Sequence, residues 1–183
     1  MKATALLKKQ HRTVERIFET LEKGSADWAS DLNELANDLA AHMAIEQEIF
    51  YPAVKSIDPK LVGESYEEHA IAEMALKRLL ATAGDEPTFG AKVTALKELI
   101  EHHVEEEEKE LFPKVEEKMD AEELKALGEE LSAAFDDAVT EGYKMLLPEG
   151  LEASGDSAQE NSGGTAEKPR GRGAKKRGAA ERP

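Results

Sequence analysis

The chain has 183 residues, of which 40% are hydrophobic, 34% charged and only 5% aromatic, and its net charge is −15. That length suits one domain with an appendage, and so few aromatics argue against a sandwich or barrel core. The absence of cysteine excludes disulfides, thiolate zinc sites, iron–sulfur clusters and a cysteine nucleophile, so any metal must be held by histidine and carboxylate.

Apolar residues step by three and four through Leu7, Val14, Phe18 and Leu21, which predicts a first helix over about 3–23 ending at Gly24. Leu32, Leu35, Leu39, Ile45 and Ile49 predict a second helix over about 27–57, kinked or ended near Tyr51 by Pro52. Asp58-Pro59 reads as an N-cap followed by proline in the first turn, opening a third helix that runs to about 83 and stops at Gly84. Asp85-Glu86-Pro87 reads as a start of the same kind for a fourth helix to about 119, and Asp120 caps a fifth over about 121–146. Tyr51 and Tyr66 either line the centre or, the preferred reading, pack in the core, and Trp28 is expected to pack near the start of the second helix. Long helices joined by short loops predict an all-α fold, an antiparallel up-and-down four-helix bundle with a fifth helix.

Beyond the last helix, residues 148–183 are rich in Gly, Ser, Ala, Pro and charge and keep no apolar period, so a disordered tail is expected. Its stretch from Lys168 to Arg177 carries six basic residues and no acid, whereas residues 1–151 sum to −17. An acidic body repels anionic membranes and nucleic acid. No membrane partner is expected, and nucleic-acid contact is left to the basic tail alone. No apolar run of 18 residues occurs, and the apolar stretch at the N-terminus is too short for a secretory signal, which predicts a cytoplasmic protein.

The bundle contains a repeat. His42 is followed by Glu46 four residues on and by Phe50-Tyr51-Pro52. His103 is followed by Glu107 and by Leu111-Phe112-Pro113, with ten residues from histidine to proline in both copies. His11 and His69 precede these motifs on the partner helices, each with a glutamate at the fourth position, Glu15 and Glu73. Residues three, four and seven apart share a helix face. His11 shares one with Leu7, Val14 and Phe18; His42 with Leu35, Leu39 and Ile45; His69 with Tyr66, Ala72 and Leu76; His103 with Leu96, Leu99 and Ile100. Each long helix therefore turns one histidine inward. His102 falls on a polar stripe with Glu98 and Glu106, and Glu15 is expected either to support the centre from outside its ligands or to pair at the surface with Arg12 or with residues near Glu19.

A carboxylate in an apolar core is costly unless paired or bound to metal. Histidine and carboxylate without sulfur suit iron, manganese or zinc. Two His-x-x-x-Glu pairs from two hairpins converge on a dinuclear centre. Four histidines, bridging Glu46 and Glu107, and Glu73 supply about nine or ten bonds of the twelve that two octahedral ions take. A bridging oxo or hydroxo group and an open position fill the rest.

These residues, His11, His42-Met43-Ala44-Ile45-Glu46, His69 and His103-Val104-Glu105-Glu106-Glu107 with Leu111-Phe112-Pro113, resemble the hemerythrin-like (HHE cation-binding) domain over about residues 1–120. The resemblance implies a non-haem di-iron site, two irons per chain, with His11, His42, His69 and His103 as terminal ligands and Glu46 and Glu107 as bridges. One departure stands out. Oxygen-carrying members place a fifth histidine four residues after the third-helix histidine, where this chain has Glu73. The departure is similar to members that sense, store or react rather than carry oxygen. The expected function is sensing or handling of dioxygen, peroxide or nitric oxide. A peroxide-decomposing, catalase-like enzyme and an iron-storage or metal-stabilised interaction module are the alternatives.

Overall fold

The computed structural model describes residues 1–147, and the stretch 148–183 expected to be disordered lies outside the described residues. Eight helices follow in order: α1 (Ala3–Glu22), α2 (Trp28–Ile45), α3 (Tyr51–Val54), α4 (Pro59–Leu80), α5 (Phe89–Glu106), α6 (Phe112–Lys118), α7 (Ala121–Glu141) and α8 (Tyr143–Leu146). Two single π-helical turns, Glu46–Phe50 and Glu107–Leu111, join α2 to α3 and α5 to α6 without a break. Among the described residues there is no strand, and no helix is long and apolar enough to cross a membrane.

The four long rods form a ring in which α1 packs on α2, α2 on α4, α4 on α5 and α5 on α1. Their directions follow from two separate apolar cores. One gathers Val14, Phe18, Leu35, Leu39, Leu76, Leu96 and Ile100. The other gathers Leu7, Phe50, Tyr51, Leu61, Val62, Leu111, Phe112 and Val115. Helix α1 runs from the second core to the first, α2 back again, α4 as α1 does and α5 as α2 does, which is the antiparallel up-and-down arrangement. Helix α7 lies outside against α1 and α2, and its inner face, Leu124, Leu127 and Leu131, closes the second core. Gly128 lets α7 approach the N-terminus: a Cβ there would overlap the backbone at Met1 and crowd the Ala3 nitrogen at 2.7 Å.

Helix starts follow side-chain chemistry. Asp58 accepts from the Leu61 N–H at 3.1 Å with Pro59 at the first position. Asp120 and Glu123 form a reciprocal capping box. The expected start at Asp85-Glu86-Pro87 is corrected. These residues make a turn, with Glu86 Oε1 accepting from the Ala83 N–H at 3.1 Å, and α5 begins at Phe89. The third helix ends at Leu80, before the expected stop at Gly84; Trp28 lies directly over Gly84 and leaves no room for a Cβ. The fifth helix is split because Gly142, at φ 82°, adopts a conformation that other residues rarely take. Trp28, half-buried at the start of α2, packs edge-on to Phe89 with ring centres 5.3 Å apart, the packing role expected of it.

Pro52 does not end the second helix near Tyr51. A proline has no N–H, and its ring collides with the carbonyl four residues back. In both hairpins the turn just before the proline is widened instead: Tyr51 N–H donates to Glu46 O, and Phe112 N–H to Glu107 O. One extra residue is absorbed and the rod continues. Such turns gather at functional sites, and both of these start at the glutamate of a His-x-x-x-Glu pair.

Candidate metal centre

A polar layer separates the two apolar cores. His11, His42, His69, His103, Glu46 and Glu107 are each 0–3% exposed. The histidines form two pairs matching the two hairpins. His11 and His42 have ring centres 4.8 Å apart, and His69 and His103 4.6 Å. Each glutamate reaches one histidine of each pair. Glu46 Oε2 is 3.1 Å from His42 Nε2 and 3.4 Å from His69 Nε2. Glu107 Oε2 is 3.4 Å from His11 Nε2 and 3.7 Å from His103 Nε2.

The outer nitrogens fix how these rings point. His11 Nδ1 meets Glu108 Oε1 at 2.9 Å, His42 Nδ1 meets Gln10 Oε1 at 2.9 Å, and His103 Nδ1 meets Glu68 Oε2 at 2.8 Å. Each partner is an acceptor, so Nδ1 carries a proton and Nε2 is turned inward. His69 Nδ1 lies 3.3 Å from the Gln47 amide nitrogen. These partners follow one rule. Gln10, Gln47, Glu68 and Glu108 are the sequence neighbours of His11, Glu46, His69 and Glu107. A neighbour sits about 100° round its helix, so it reaches the histidine of the next rod. The bonds run from α1 to α2, from the first π turn to α4, from α4 to α5, and from the second π turn back to α1, closing a belt around the bundle.

Inside the belt, several polar atoms lack a hydrogen bond. His11 Nε2, His42 Nε2, both Glu46 carboxylate oxygens and Glu107 Oε2 are buried without a hydrogen-bond partner among the described residues. Native proteins leave few such atoms. Five of them pointing at one another, all electron-pair donors, fit a cation. With His69 and His103, these residues fall into two groups close enough to share an ion each: His11, His42, Glu46 and Glu107, and Glu46, His69 and His103.

Electrostatics agree. Burial pushes His42 well below its ordinary value, with repulsion from His11 adding to it, and burial beside His103 lowers His69 to about 3. Both rings are therefore neutral, as a ligand must be. Burial, reinforced by the charge of Glu107, pushes Glu46 well above the carboxylate range. Burial also acts against Glu107, but the neighbouring His103 and His11 outweigh it and pull that carboxyl down. Two facing carboxylates do not both ionise here without added positive charge.

Six of the seven expected ligands are thus brought together, and Glu73 is not. It is half-buried and accepts from Gln47 Nε2 at 3.0 Å, which holds it on the outer side of His69. His102 is turned out, its side chain 66% exposed, while that of His103 is 4% exposed. Glu15 pairs with Arg12 at the surface. Tyr51 goes beyond its expected packing role. Its hydroxyl donates to Glu107 Oε1 at 3.0 Å and lies 3.1 Å from His69 Nε2 and 3.4 Å from His103 Nε2. Burial, then the Glu107 charge, raise its pKa well above the ordinary value, so it keeps its proton.

Known proteins bear on this geometry. A curated DNA nickase from Nostoc sp. is 25% identical over 132 residues, 70% of this chain, and the match spans 38% of that relative's length. A solved structure, a hemerythrin HHE cation-binding domain-containing protein from Mycobacterium kansasii, is 27% identical with a TM-score of 0.70, over 77% of this chain and 89% of that one. The model of the hemerythrin HHE cation-binding domain matches residues 2–115, the four rods that carry every buried histidine and both buried glutamates. The chain belongs to the hemerythrin HHE cation-binding domain family, and its buried layer of histidine and glutamate fits the metal binding that defines it.

Proposed function

We propose that the buried layer holds two iron ions and that the protein senses or handles dioxygen, peroxide or nitric oxide in the cytoplasm. The observation that carries this reading is the sharing of Glu46. One carboxylate belongs to both ligand groups, with a histidine pair on either side, as a bridge between two ions requires. The donor set, imidazole and carboxylate without sulfur, suits iron. When bound, iron supplies redox chemistry and affinity for small oxygen and nitrogen ligands.

The chain itself shapes what can reach the centre. A cavity of about 10 Å³ lies against the four histidines and is otherwise lined by Val14, Leu39, Met43, Ile100 and Val104. It has room for about one water-sized molecule, and its far wall is apolar. Such a space fits a small ligand better than an organic substrate. Tyr51 holds a proton at its hydroxyl oxygen beside Glu107.

That proton favours a second reading, turnover of peroxide, in which Tyr51 acts as a fixed acid. The experiment separates the two. The iron-loaded chain is exposed to dioxygen, nitric oxide and peroxide while its optical spectrum is followed. Under the first reading the spectrum responds and peroxide is consumed only in step with the protein. Under the second, oxygen evolves over many turnovers and Tyr51→Phe lowers that rate by about 10²-fold, the usual share of a positioned acid. A spectrum indifferent to all three ligands contradicts both. The nicking activity named for the Nostoc relative is not carried over, because that protein is much the longer and residues 1–151 of this chain, at −17, repel a phosphate backbone.

A further inference from the structure

A second group of metal-ligating side chains lies outside the buried layer, on the surface between α4 and α5. Glu68, His102 and Glu106 bring one ligand atom each within 4.8 Å of one another. His102 Nε2 is 3.7 Å from Glu68 Oε1 and 3.7 Å from Glu106 Oε1. Around one ion with bonds of about 2.0–2.2 Å, tetrahedral ligand atoms stand roughly 3.3–3.6 Å apart. The two imidazole–carboxylate separations need to close only slightly.

Two observations set this group apart from an ordinary acidic surface. The first is the imidazole, which a solvated carboxylate patch lacks; His102 and Glu106 are one turn apart on a single face, the same His-x-x-x-Glu spacing as the buried pairs. The second is the state of Glu68. Its Oε2 is already fixed by His103 Nδ1 at 2.8 Å, so Oε1 is turned outward toward His102 without further ordering. The depression they line also carries the carboxylates of Glu64 and Glu67, and the cation beside them, Lys60, is bonded to Glu64 at 2.8 Å.

We propose that Glu68, His102 and Glu106 form a separate, solvent-facing site for a divalent first-row transition ion such as zinc or ferrous iron. Protein atoms supply three positions and water the fourth, the pattern of an open rather than a closed site. The ion sits on the outer oxygen of the carboxylate whose inner oxygen orients His103, one imidazole from the buried layer. The site does not depend on the buried layer being loaded with iron.

The test uses the full-length chain saturated with iron, titrated calorimetrically with Zn²⁺ in a non-chelating buffer, with iron content measured before and after. The expected result is one saturable zinc ion per chain beyond the buried metals. It should be lost, or weakened more than about tenfold, in the double variant His102→Ala/Glu106→Gln, because removing a ligand costs at least what removing an outer partner does. Iron content should be unchanged. His102→Asn, at an exposed position, gives the same reading if the double variant misfolds. If the buried layer takes up no iron, the difference of one zinc between wild type and variant is still expected, so failure of the two readings is distinguishable. Equal zinc binding by wild type and double variant, or no saturable binding to wild type, overturns the site.

Discussion

Glu46→Gln should strip the metal from this protein and at the same time make its metal-free fold more stable at neutral pH. Both effects come from one buried carboxylate. Glu46 is 0% exposed, and neither of its oxygens finds a hydrogen bond among the described residues. In the metal-free fold, burial and the charge of Glu107 raise its pKa well above the ordinary 4.5. The sign follows from linkage. A carboxyl whose folded value lies above its unfolded one takes up a proton on folding. Its contribution is fully present below about pH 4.5 and is lost as the pH rises toward the raised value. Glutamine removes that loss, and its amide can donate to His42 Nε2, which lies 3.1 Å from Glu46 Oε2 and is an acceptor while Nδ1 is bonded to Gln10. The gain in the metal-free protein should be ~1–3 kcal/mol at pH 7, the scale of a buried unsatisfied group, and should vanish below pH 4.5. Urea unfolding of chelator-treated wild type and variant at pH 7 and pH 4 measures it. A metal-free variant less stable than wild type at pH 7, or one that still loads two metals, counts against Glu46 as a shared ligand.

His103→Ala should release metal and lower thermal stability, whereas His102→Ala should change the buried metal content little. Adjacent helical residues point about 100° apart, so only one of the two can face the centre. His103 does so, with Nε2 3.0 Å from His69 Nε2 and Nδ1 held by Glu68. Its loss removes one histidine neighbour from Glu107 and from His69 and empties the Glu68 bond. Metal affinity should fall by well over about 10–100-fold, the cost of losing even an outer partner, and the melting temperature should fall with it, because binding is linked to folding. His102 is exposed, and its removal affects only the solvent-facing group with Glu68 and Glu106. Iron content and thermal melts of the two variants decide the matter. Iron lost in His102→Ala but kept in His103→Ala would mean that the assigned faces of α5 are wrong.

The bundle and six of its buried donors were legible in the sequence for one physical reason. A 3.6-residue period sorts each helix into faces, and a histidine in an apolar stripe has nowhere to point but inward. What stayed hidden depends on relations between helices or on backbone detail. The π turns leave the apolar pattern intact, and only the proline six residues after each glutamate hints at them. The belt of Gln10, Gln47, Glu68 and Glu108 becomes visible once the order of rods around the ring is known; the signal was there, since each of the four adjoins an inward donor. Glu73 shares the His69 face, yet Gln47, on the neighbouring rod, holds its carboxylate on the outer side. Tyr51 looked like packing because an apolar ring and an inward hydroxyl give the same helical phase. The early end of the third helix at Leu80 and the late start of the next at Phe89 reflect the Trp28–Gly84 contact and the Glu86 turn, both of which join residues that no local period connects.

The central claim is that one carboxylate joins two ions in the layer between the cores. Crystals of the iron-loaded full chain, measured at the iron absorption edge, test it most directly. Two anomalous peaks are expected within the buried layer, one among His11, His42, Glu46 and Glu107 and one among Glu46, His69 and His103, with Glu46 adjoining both. A single buried peak, or iron confined to the surface, would contradict it.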